Sequence, residues 1–201
     1  MKNIAAHAIS TVLLGIFISF FMLISGCAEK KPEFKGVDIT GADYAQNFSM
    51  TDQFGKTRTI ADFKGKAVVV FFGFSQCPDV CPTSMAELAE VKKLLGKDSD
   101  KLQGVFVSLD PERDTAPVLK AYMEAFDPSF LALSGSLEQT AAVAKQFKIY
   151  YKKVEGRTAT SYTLDHSAGS YTFDPQGRIR LYNRYGSGVQ ALASDIQLLL
   201  K

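Results

Sequence analysis

The stretch from Val68 to Met85 constrains the fold of this chain more than any other, and it reads VVVFFGFSQCPDVCPTSM. It begins with an apolar run typical of a buried central strand. The run breaks at Gly73, and Cys77 and Cys81 follow just ahead of a helical pattern. Unpaired amides and the dipole at a helix N-terminus favour the thiolate, so we expect a lowered thiol pKa here. The stretch therefore predicts a reactive pair of thiols at a strand-to-helix junction.

Length and composition exclude several classes of protein. The chain has 201 residues, enough for one domain with a hydrophobic core. Its formal net charge is +2 and its basic residues are scattered, which gives no case for a nucleic-acid partner. With three cysteines in all, the chain is not a small domain held together by disulfides.

The N-terminus resembles a targeting segment. Lys2 precedes an apolar stretch over residues 8–24, and Leu23–Cys27 reads LISGC. A short basic start, a long apolar run and small residues are typical of a signal peptide. The cysteine directly after Ser-Gly resembles the lipobox of a bacterial lipoprotein. We therefore expect cleavage after Gly26 and attachment of lipid to Cys27.

An uncleaved membrane anchor is the alternative, because the apolar run is nearly long enough to span a bilayer. Both interpretations place the rest of the chain outside the cytoplasm, on the periplasmic side or the outer face of the cell membrane. The predicted organisation is a signal peptide at 1–26, a lipidated N-terminus and polar tether at 27–45, and a single domain at 46–201.

Strand and helix patterns alternate along this domain. Short alternating runs flank Asp52–Gly55 and predict a hairpin. Helical spacing follows Pro82, a residue suited to the first helical position, and ends near Gly96, a candidate helix cap. Further strands are predicted at 67–72, 104–109, 130–133, 170–173 and 178–182, an extended segment at 149–154, and further helices at 115–126, 136–147 and 189–200.

This order of elements favours an α/β fold with a central mixed β-sheet flanked by helices, an N-terminal hairpin and a late β-hairpin insertion. A redox-type cysteine motif at the first strand-to-helix junction makes the predicted fold thioredoxin-like.

Three chemistries compete for the pair Cys77 and Cys81. An inert disulfide is disfavoured, because so short a loop removes little chain entropy. A thiol–disulfide exchanger of this fold usually has two residues between its cysteines, whereas this chain has three. The additional residue leaves room for the sulfurs to flank an ion at roughly 2.2–2.3 Å each. A pair with this spacing can still form a disulfide, so exchange and metal binding both stay open.

The histidine count favours a metal. The chain has two histidines, and His7 lies in the predicted signal peptide, so His166 is the one imidazole of the mature domain. Structural zinc usually has four ligands, whereas copper(I) accepts low coordination and soft thiolates, and copper(II) accepts cysteine with imidazole. Two thiolates and one imidazole therefore fit one copper ion best. Core packing is the expected use of the three methionines that could add a thioether: Met50, Met85 and Met123.

Five motifs in order resemble the SCO/SenC family of copper chaperones for cytochrome c oxidase, and the resemblance covers about residues 48–199. They are Gly73–Thr83, Val107–Thr115, Phe126–Pro128, Asp165–Ser167 and Phe173–Gly177. The resemblance implies a thioredoxin fold that binds one copper ion, Cu(I) or Cu(II), through the positions of Cys77, Cys81 and His166. It also implies a partner, the copper-site subunit of the oxidase.

The resemblance implies one of two activities. The protein delivers copper to the dinuclear site of the oxidase, or it reduces the cysteines of that site as a thiol–disulfide reductase. A redox or copper sensor is a third alternative. Because an oxidised Cys77–Cys81 pair cannot bind copper, copper loading needs an external thiol reductant protein that keeps the pair reduced.

Acidic residues near the predicted site have two interpretations. Asp79 and Asp165 either tune the site or serve only in turns and caps. The three in the segment after the second strand, Asp110, Glu112 and Asp114, are expected to shape that loop, with Asp114 or Thr115 as a helix N-cap.

The rival enzymes of this fold are disfavoured by single residues. Ordinary thioredoxins place a cis-proline against the dithiol, but this chain has no proline between Pro128 and Pro175. A peroxidase would need a threonine two residues before its cysteine, and Cys77 has Ser75 there.

Overall fold

The computed structural model describes residues 33–201 except Arg157, Ala159 and Thr160. The predicted signal peptide, Cys27 and the first part of the tether lie outside the described residues. In the part of the chain that is described, no helix has the length and hydropathy needed to cross a membrane.

Two parallel strands form the centre of the fold. Every residue of β4 (Ala67–Gly73) and β5 (Leu102–Ser108) is buried, as expected for strands covered on both faces. The other strands of the main sheet are β1 (Val37–Asp38), β2 (Met50–Asp52), β3 (Thr57–Arg58), β6 (Leu131–Ser134), β9 (Ser170–Phe173) and β10 (Ile179–Asn183). The order β1-β10-β9-β4-β5-β6-β2-β3 mixes parallel and antiparallel pairs.

Helices flank this sheet. They are α1 (Val80–Leu94), α2 (Ala116–Glu124), α3 (Leu137–Gln146) and α4 (Val189–Leu199), with short 3-10 turns at Ile60–Phe63 and Gly96–Lys101. Ser136 caps α3 through a capping box with Gln139. Fully buried phenylalanines fill the core, among them Phe72, Phe106 and Phe173. The predicted thioredoxin-like α/β fold is confirmed, and its packed core supports the loop that carries the cysteines.

The N-terminal hairpin is confirmed as β2 and β3, paired antiparallel with Met50 opposite Arg58. The turn at Asp174–Gly177 likewise joins β9 to β10, with a hydrogen bond from the Gly177 amide to the Asp174 carbonyl. These two strands extend the main sheet rather than form an insertion.

A second, separate hairpin is formed by β7 (Tyr151–Glu155) and β8 (Tyr162–His166), which pair with each other in a two-stranded sheet. The sequence predicted an extended segment at β7 but no strand at β8. Only Leu164 of β8 is buried, so the strand lacks the run of apolar residues that marks the central strands.

The start of α1 differs from the prediction. The helix begins at Val80, with Asp79 as its N-cap, so Cys81 lies inside the first turn and Pro82 is the third helical residue. Proline is tolerated there because the first amides of a helix have no intrahelical partner. Gly96 follows the Leu95 cap with a φ of +54°, as expected for a glycine that ends a helix.

Candidate metal centre

Cys81 is placed by the backbone of Gly73, the last residue of β4. A Cβ atom on Gly73 would lie 2.7 Å from the Cys81 sulfur and 3.0 Å from the rings of Phe71 and Phe106. The missing side chain thus allows the thiol of the helix to rest directly on the end of the strand. As a result, Cys81 is completely buried at the junction.

Cys77 lies in the loop between β4 and α1 and is partly exposed. Its amide donates to the Phe74 carbonyl at 3.2 Å, and its sulfur accepts a hydrogen bond from the Cys81 amide at 3.4 Å. That amide is one of the unpaired donors at the start of α1. The helix N-terminus therefore interacts with the more accessible sulfur.

Asp114 holds the loop between β4 and α1 through hydrogen bonds. Its carboxyl accepts hydrogen bonds from the Ser75 amide at 3.2 Å, the Ser75 hydroxyl at 2.5 Å and the Ser108 hydroxyl at 2.6 Å. Thr115, not Asp114, is the N-cap residue of α2. The prediction that this acidic segment shapes the loop after β5 is confirmed for Asp114, which fastens the cysteine loop to the end of β5.

His166 is the last residue of β8, and its ring lies edge-on to Phe71 and Phe74, with centroids 6.2 and 5.8 Å away. Nδ1 lies 2.8 Å from the Ser167 carbonyl oxygen. A carbonyl only accepts, so Nδ1 carries the proton and Nε2 keeps a free lone pair. Nε2 lies 3.4 Å from the Cys81 sulfur. The tautomer that can bind a metal is therefore set by the backbone.

The three donor atoms converge. The sulfurs of Cys77 and Cys81 and a ring nitrogen of His166 all lie within 4.8 Å of one another. A three-coordinate ion with bonds of about 2.0–2.3 Å separates its ligands by roughly 3.5–4 Å. Small side-chain movements therefore suffice for these atoms to surround one ion. The donor set, two soft thiolates and an imidazole, fits copper.

Desolvation is the largest influence on the pKa of Cys81 and of the partly buried His166. It raises the pKa of the Cys81 thiol, and the neighbouring Cys77 adds to the increase. Burial also lowers the pKa of His166, against the opposing effects of the Ser167 carbonyl and the charge of Asp165. The expected lowering of the thiol pKa at the helix start is wrong for Cys81, because desolvation outweighs the helix dipole. The metal-free site thus holds a neutral thiol beside a neutral imidazole.

Asp79 and Asp165 lie at the rim of the site. Both are exposed and line a surface depression that also includes Cys77 and His166. The side chain of Asp79 makes no capping hydrogen bond to α1. Asp165 precedes His166 in a strand, so its side chain points to the opposite face. The structure thus brings both carboxylates to the opening of the site, with the Asp165 side chain on the face of β8 opposite the imidazole.

The methionines considered as thioether donors are core residues. Met50, Met85 and Met123 are each at most 1% exposed and belong to the hydrophobic core, as predicted.

Sequence reasoning missed several residues that support the site. The sequence did not identify the two rings that pack against His166, which belong to Phe71 and Phe74. It also did not identify the Ser75–Asp114 contact or the role of the Ser167 carbonyl. The phenylalanines of the central strand were assigned only to the core. No sequence pattern marks the other two contacts, because each depends on how the backbone folds and not on a regular spacing of residue types.

Comparison with known proteins places this geometry in a family. The SCO1/SenC family model matches residues 37–201. The SCO2-like protein of Rickettsia felis is 34% identical over 171 residues, which cover 84% of this chain and 83% of that protein. Among solved structures, Bradyrhizobium japonicum ScoI with copper bound is 40% identical, with a TM-score of 0.70 over 76% of this chain and 97% of that chain.

A second solved structure has the same fold. A SCO1/SenC family lipoprotein from Bacillus anthracis is 27% identical, with a TM-score of 0.66 over 77% of this chain and 94% of that chain. Together, the match over residues 37–201 and the identity to the rickettsial protein show that this chain belongs to the SCO1/SenC family.

Proposed function

We propose that this protein is a copper chaperone that binds one copper ion through Cys77 Sγ, Cys81 Sγ and His166 Nε2. The observation that carries the proposal is the convergence of these three donor atoms within 4.8 Å of one another. The copper bound to the related ScoI of Bradyrhizobium japonicum supports it. The acceptor is the dinuclear copper site of a respiratory cytochrome c oxidase, as the family resemblance implies.

Loading replaces protons by copper. Cys81 is protonated in the metal-free site, so its S–H bond breaks as the sulfur–copper bond forms, and the proton leaves to solvent. His166 is neutral and offers Nε2 without losing a proton. Cys77 is partly exposed, so an incoming acceptor thiolate can reach the copper ion from its side and bond to it. Transfer then proceeds by ligand exchange, with Cys77 as the first bond to break.

Copper stoichiometry in the full-length protein tests this assignment. Protein purified reduced and under anaerobic conditions should bind one equivalent of Cu(I), and the cupric form should show a sulfur-to-copper charge-transfer band. His166→Ala should weaken copper binding while leaving the two cysteines able to form a disulfide. Wild-type affinity in His166→Ala would remove that residue from the site.

A thiol–disulfide reductase is the second candidate, because both cysteines are free thiols and one of them reaches the surface. In this role the two thiols give up two electrons and two protons to a disulfide of the oxidase and become a disulfide themselves. A thiol reductant protein must then restore them. Protein that stays free of copper under copper challenge, yet reduces a disulfide in a peptide of the oxidase copper site, would favour this candidate.

The proposed organisation has a cleaved signal peptide at 1–26, lipid on Cys27, a tether to residue 45 and the domain beyond it. The Bacillus anthracis lipoprotein of the same family supports a lipid anchor. The domain then lies outside the cytoplasm, held at the membrane. Metabolic labelling with palmitate tests this: Cys27→Ser should lose the label, and undiminished label would overturn the lipobox assignment.

Asp79 and Asp165 are proposed to tune copper affinity through their charge rather than to bind the ion. Asp79 lies at the opening of the depression that contains Cys77 and His166. Asp165 raises the pKa of the adjacent imidazole, against the larger effect of burial. Asn at either position should change copper affinity less than loss of any of the three donors. A loss as large as that of His166→Ala would instead mark the residue as a ligand.

A further inference from the structure

The hairpin that carries His166 is not part of the main sheet. β7 and β8 pair only with each other in the described chain. A two-stranded hairpin is at best marginally stable in water, so its position depends on contacts with the rest of the protein. The contacts that attach this hairpin to the rest of the protein therefore determine the distance between His166 and the two cysteines.

One end of the hairpin is fastened next to the metal centre. The His166 ring packs against Phe71 and Phe74, and the Ser167 amide donates to the Tyr150 carbonyl at 2.9 Å. Leu164, two residues before His166, also packs into the hydrophobic core. A strand held only over this half can still pivot about it. A second attachment farther along β8 is needed to fix the direction of the imidazole.

Arg113 supplies that second attachment. It lies in the loop between β5 and α2, and its Nη1 donates to the Tyr162 carbonyl at 2.9 Å. Its guanidinium also stacks 3.6 Å from the centre of the Tyr162 ring. Tyr162 and His166 lie on the same face of β8, four residues or about 13 Å apart, so the two attachments hold the strand at both ends.

Asp110 reinforces this contact from the same loop. The Tyr162 hydroxyl donates to Asp110 Oδ1 at 2.7 Å, and Arg113 Nε donates to Asp110 Oδ2. One carboxylate thus holds both the guanidinium and the phenol. The ammonium of Lys153 on β7 lies 3.8 Å from the centre of the same Tyr162 ring.

Arg113 also contacts the loop that carries the cysteines. Its Nη1 donates to Gln76 Oε1 at 3.1 Å, and Gln76 directly precedes Cys77. The guanidinium lies 5.8 Å from the Phe74 ring, the same ring that packs against His166. A single side chain therefore bridges the cysteine loop and the histidine strand.

We propose that Arg113 is a positioning residue that clamps the β7–β8 hairpin onto the cysteine loop and so holds His166 at bonding distance for copper. The inference rests on the proposed function for its copper readout, but the clamp itself exists without metal. The planar fork of arginine is required, because one group must reach Asp110, Gln76 and the Tyr162 carbonyl at once.

The test compares Arg113→Gln and Arg113→Lys with Arg58→Gln in the full-length protein. Arg58 is a matched control: like Arg113 it is 20% exposed and pairs with a buried aspartate, but it lies on β3 at the sheet edge. Arg113→Lys keeps the positive charge and loses the fork. Tyr162→Phe removes only the hydroxyl contact with Asp110, and it serves as a milder variant should Arg113→Gln fail to fold.

Hydrogen exchange of the reduced, metal-free protein is the first readout. Both Arg113 variants should speed exchange of the β8 amides about 10-fold or more, with β4 and β5 unchanged, and Tyr162→Phe should do so to a smaller extent. The second readout is copper retention against a chelator, which should fall about 10-fold, the lower end of the effect of residues that orient metal ligands. X-ray absorption should show a weakened imidazole contribution.

The outcomes separate the possibilities. Hairpin exchange and copper retention in Arg113→Gln equal to those of Arg58→Gln would overturn the clamp. Arg113→Lys behaving like wild type would also overturn it, since charge alone would then suffice. Wild-type protein that binds no copper would refute the proposed function, whereas the metal-free exchange would still decide the role of Arg113.

Discussion

The Nε2 atom of His166 lies 3.4 Å from the sulfur of Cys81, although 85 positions separate the two residues in the chain. One belongs to a surface hairpin and the other to the first turn of a core helix. The contact joins a thiol that is buried on the end of β4 to an imidazole whose strand is held by side-chain contacts. The two halves of the site therefore differ in what keeps them in place.

Thiol accessibility should distinguish the two cysteines. Cys77 is partly exposed, whereas Cys81 is fully buried and burial raises the pKa of its thiol. Iodoacetamide should therefore modify Cys77 of the reduced, metal-free protein at least 10-fold faster, because alkylation requires an accessible thiolate. Peptide mass spectrometry over time measures both rates. Faster labelling of Cys81 than of Cys77 in the native protein would contradict the buried position of Cys81. As a control, both cysteines should be labelled at similar rates in protein unfolded by urea.

Gly73→Ala should damage the metal centre specifically. The new Cβ would lie 2.7 Å from the Cys81 sulfur, so the thiol must move away from the other donors. We expect a loss of stability of about 1–3 kcal/mol, typical of an overpacked core, together with weaker copper binding.

Gly104→Ala is the matched control for Gly73→Ala. Gly104 lies in the neighbouring strand β5, and a Cβ there would meet the Phe130 ring at 2.7 Å, away from the donor atoms. Urea unfolding should show a similar destabilisation for both variants, with copper affinity reduced only in Gly73→Ala. Equal copper affinities would show that the glycine is not needed for the thiol.

The donors were predictable from the sequence because their chemistry is scarce: the domain has two cysteines after Cys27 and one histidine after His7. The central strands were equally clear, because burial on both faces leaves a continuous apolar run. Strand β8 was missed because only Leu164 in it is buried. Its position comes from contacts with Arg113 and Asp110, which no local pattern encodes.

The thiol pKa was mispredicted for a related reason. Proximity to a helix start can be read from Cys81 and Pro82, whereas complete burial against Gly73 depends on how strand and helix pack. Asp114 was a candidate helix cap by sequence, but its carboxyl faces Ser75, 39 positions earlier, on the other side of the loop. Local sequence therefore identified which residues carry chemistry, and tertiary packing determined their protonation and support.

Asp174 should stabilise the protein at neutral pH and not in acid. Burial alone would raise its pKa, but hydrogen bonds from Arg178 and Arg180 outweigh it and hold the pKa below the ordinary 3.8. A carboxyl with a lowered folded-state pKa contributes stability above its unfolded pKa and loses it as the pH falls through the folded value. Asp174→Asn should therefore cost about 1–3 kcal/mol at pH 7, because charged hydrogen bonds are lost.

Urea unfolding of wild type and Asp174→Asn at several pH values measures this difference, which should shrink as the pH is lowered below about 4. Asp98→Asn is the comparison: Lys101 lowers the pKa of Asp98 as well, but this pair lies at the surface, so solvent screening should make its difference much smaller. A difference for Asp174→Asn that stays constant with pH would contradict a stabilising charged carboxylate.

Asp114 should show the opposite dependence. Burial raises its pKa above the ordinary 3.8, despite the lowering effect of hydrogen bonds from Ser108 and Ser75. A carboxyl with a raised folded-state pKa binds its proton more tightly in the folded protein, so its contribution to stability declines as the pH rises from the unfolded to the folded value. Removing it with Asp114→Asn should thus cost more stability at low pH than at pH 7. Urea unfolding over the same pH series measures the stability lost in each variant. If the loss depends on pH in the same way for Asp114→Asn and Asp174→Asn, burial does not dominate the pKa of Asp114.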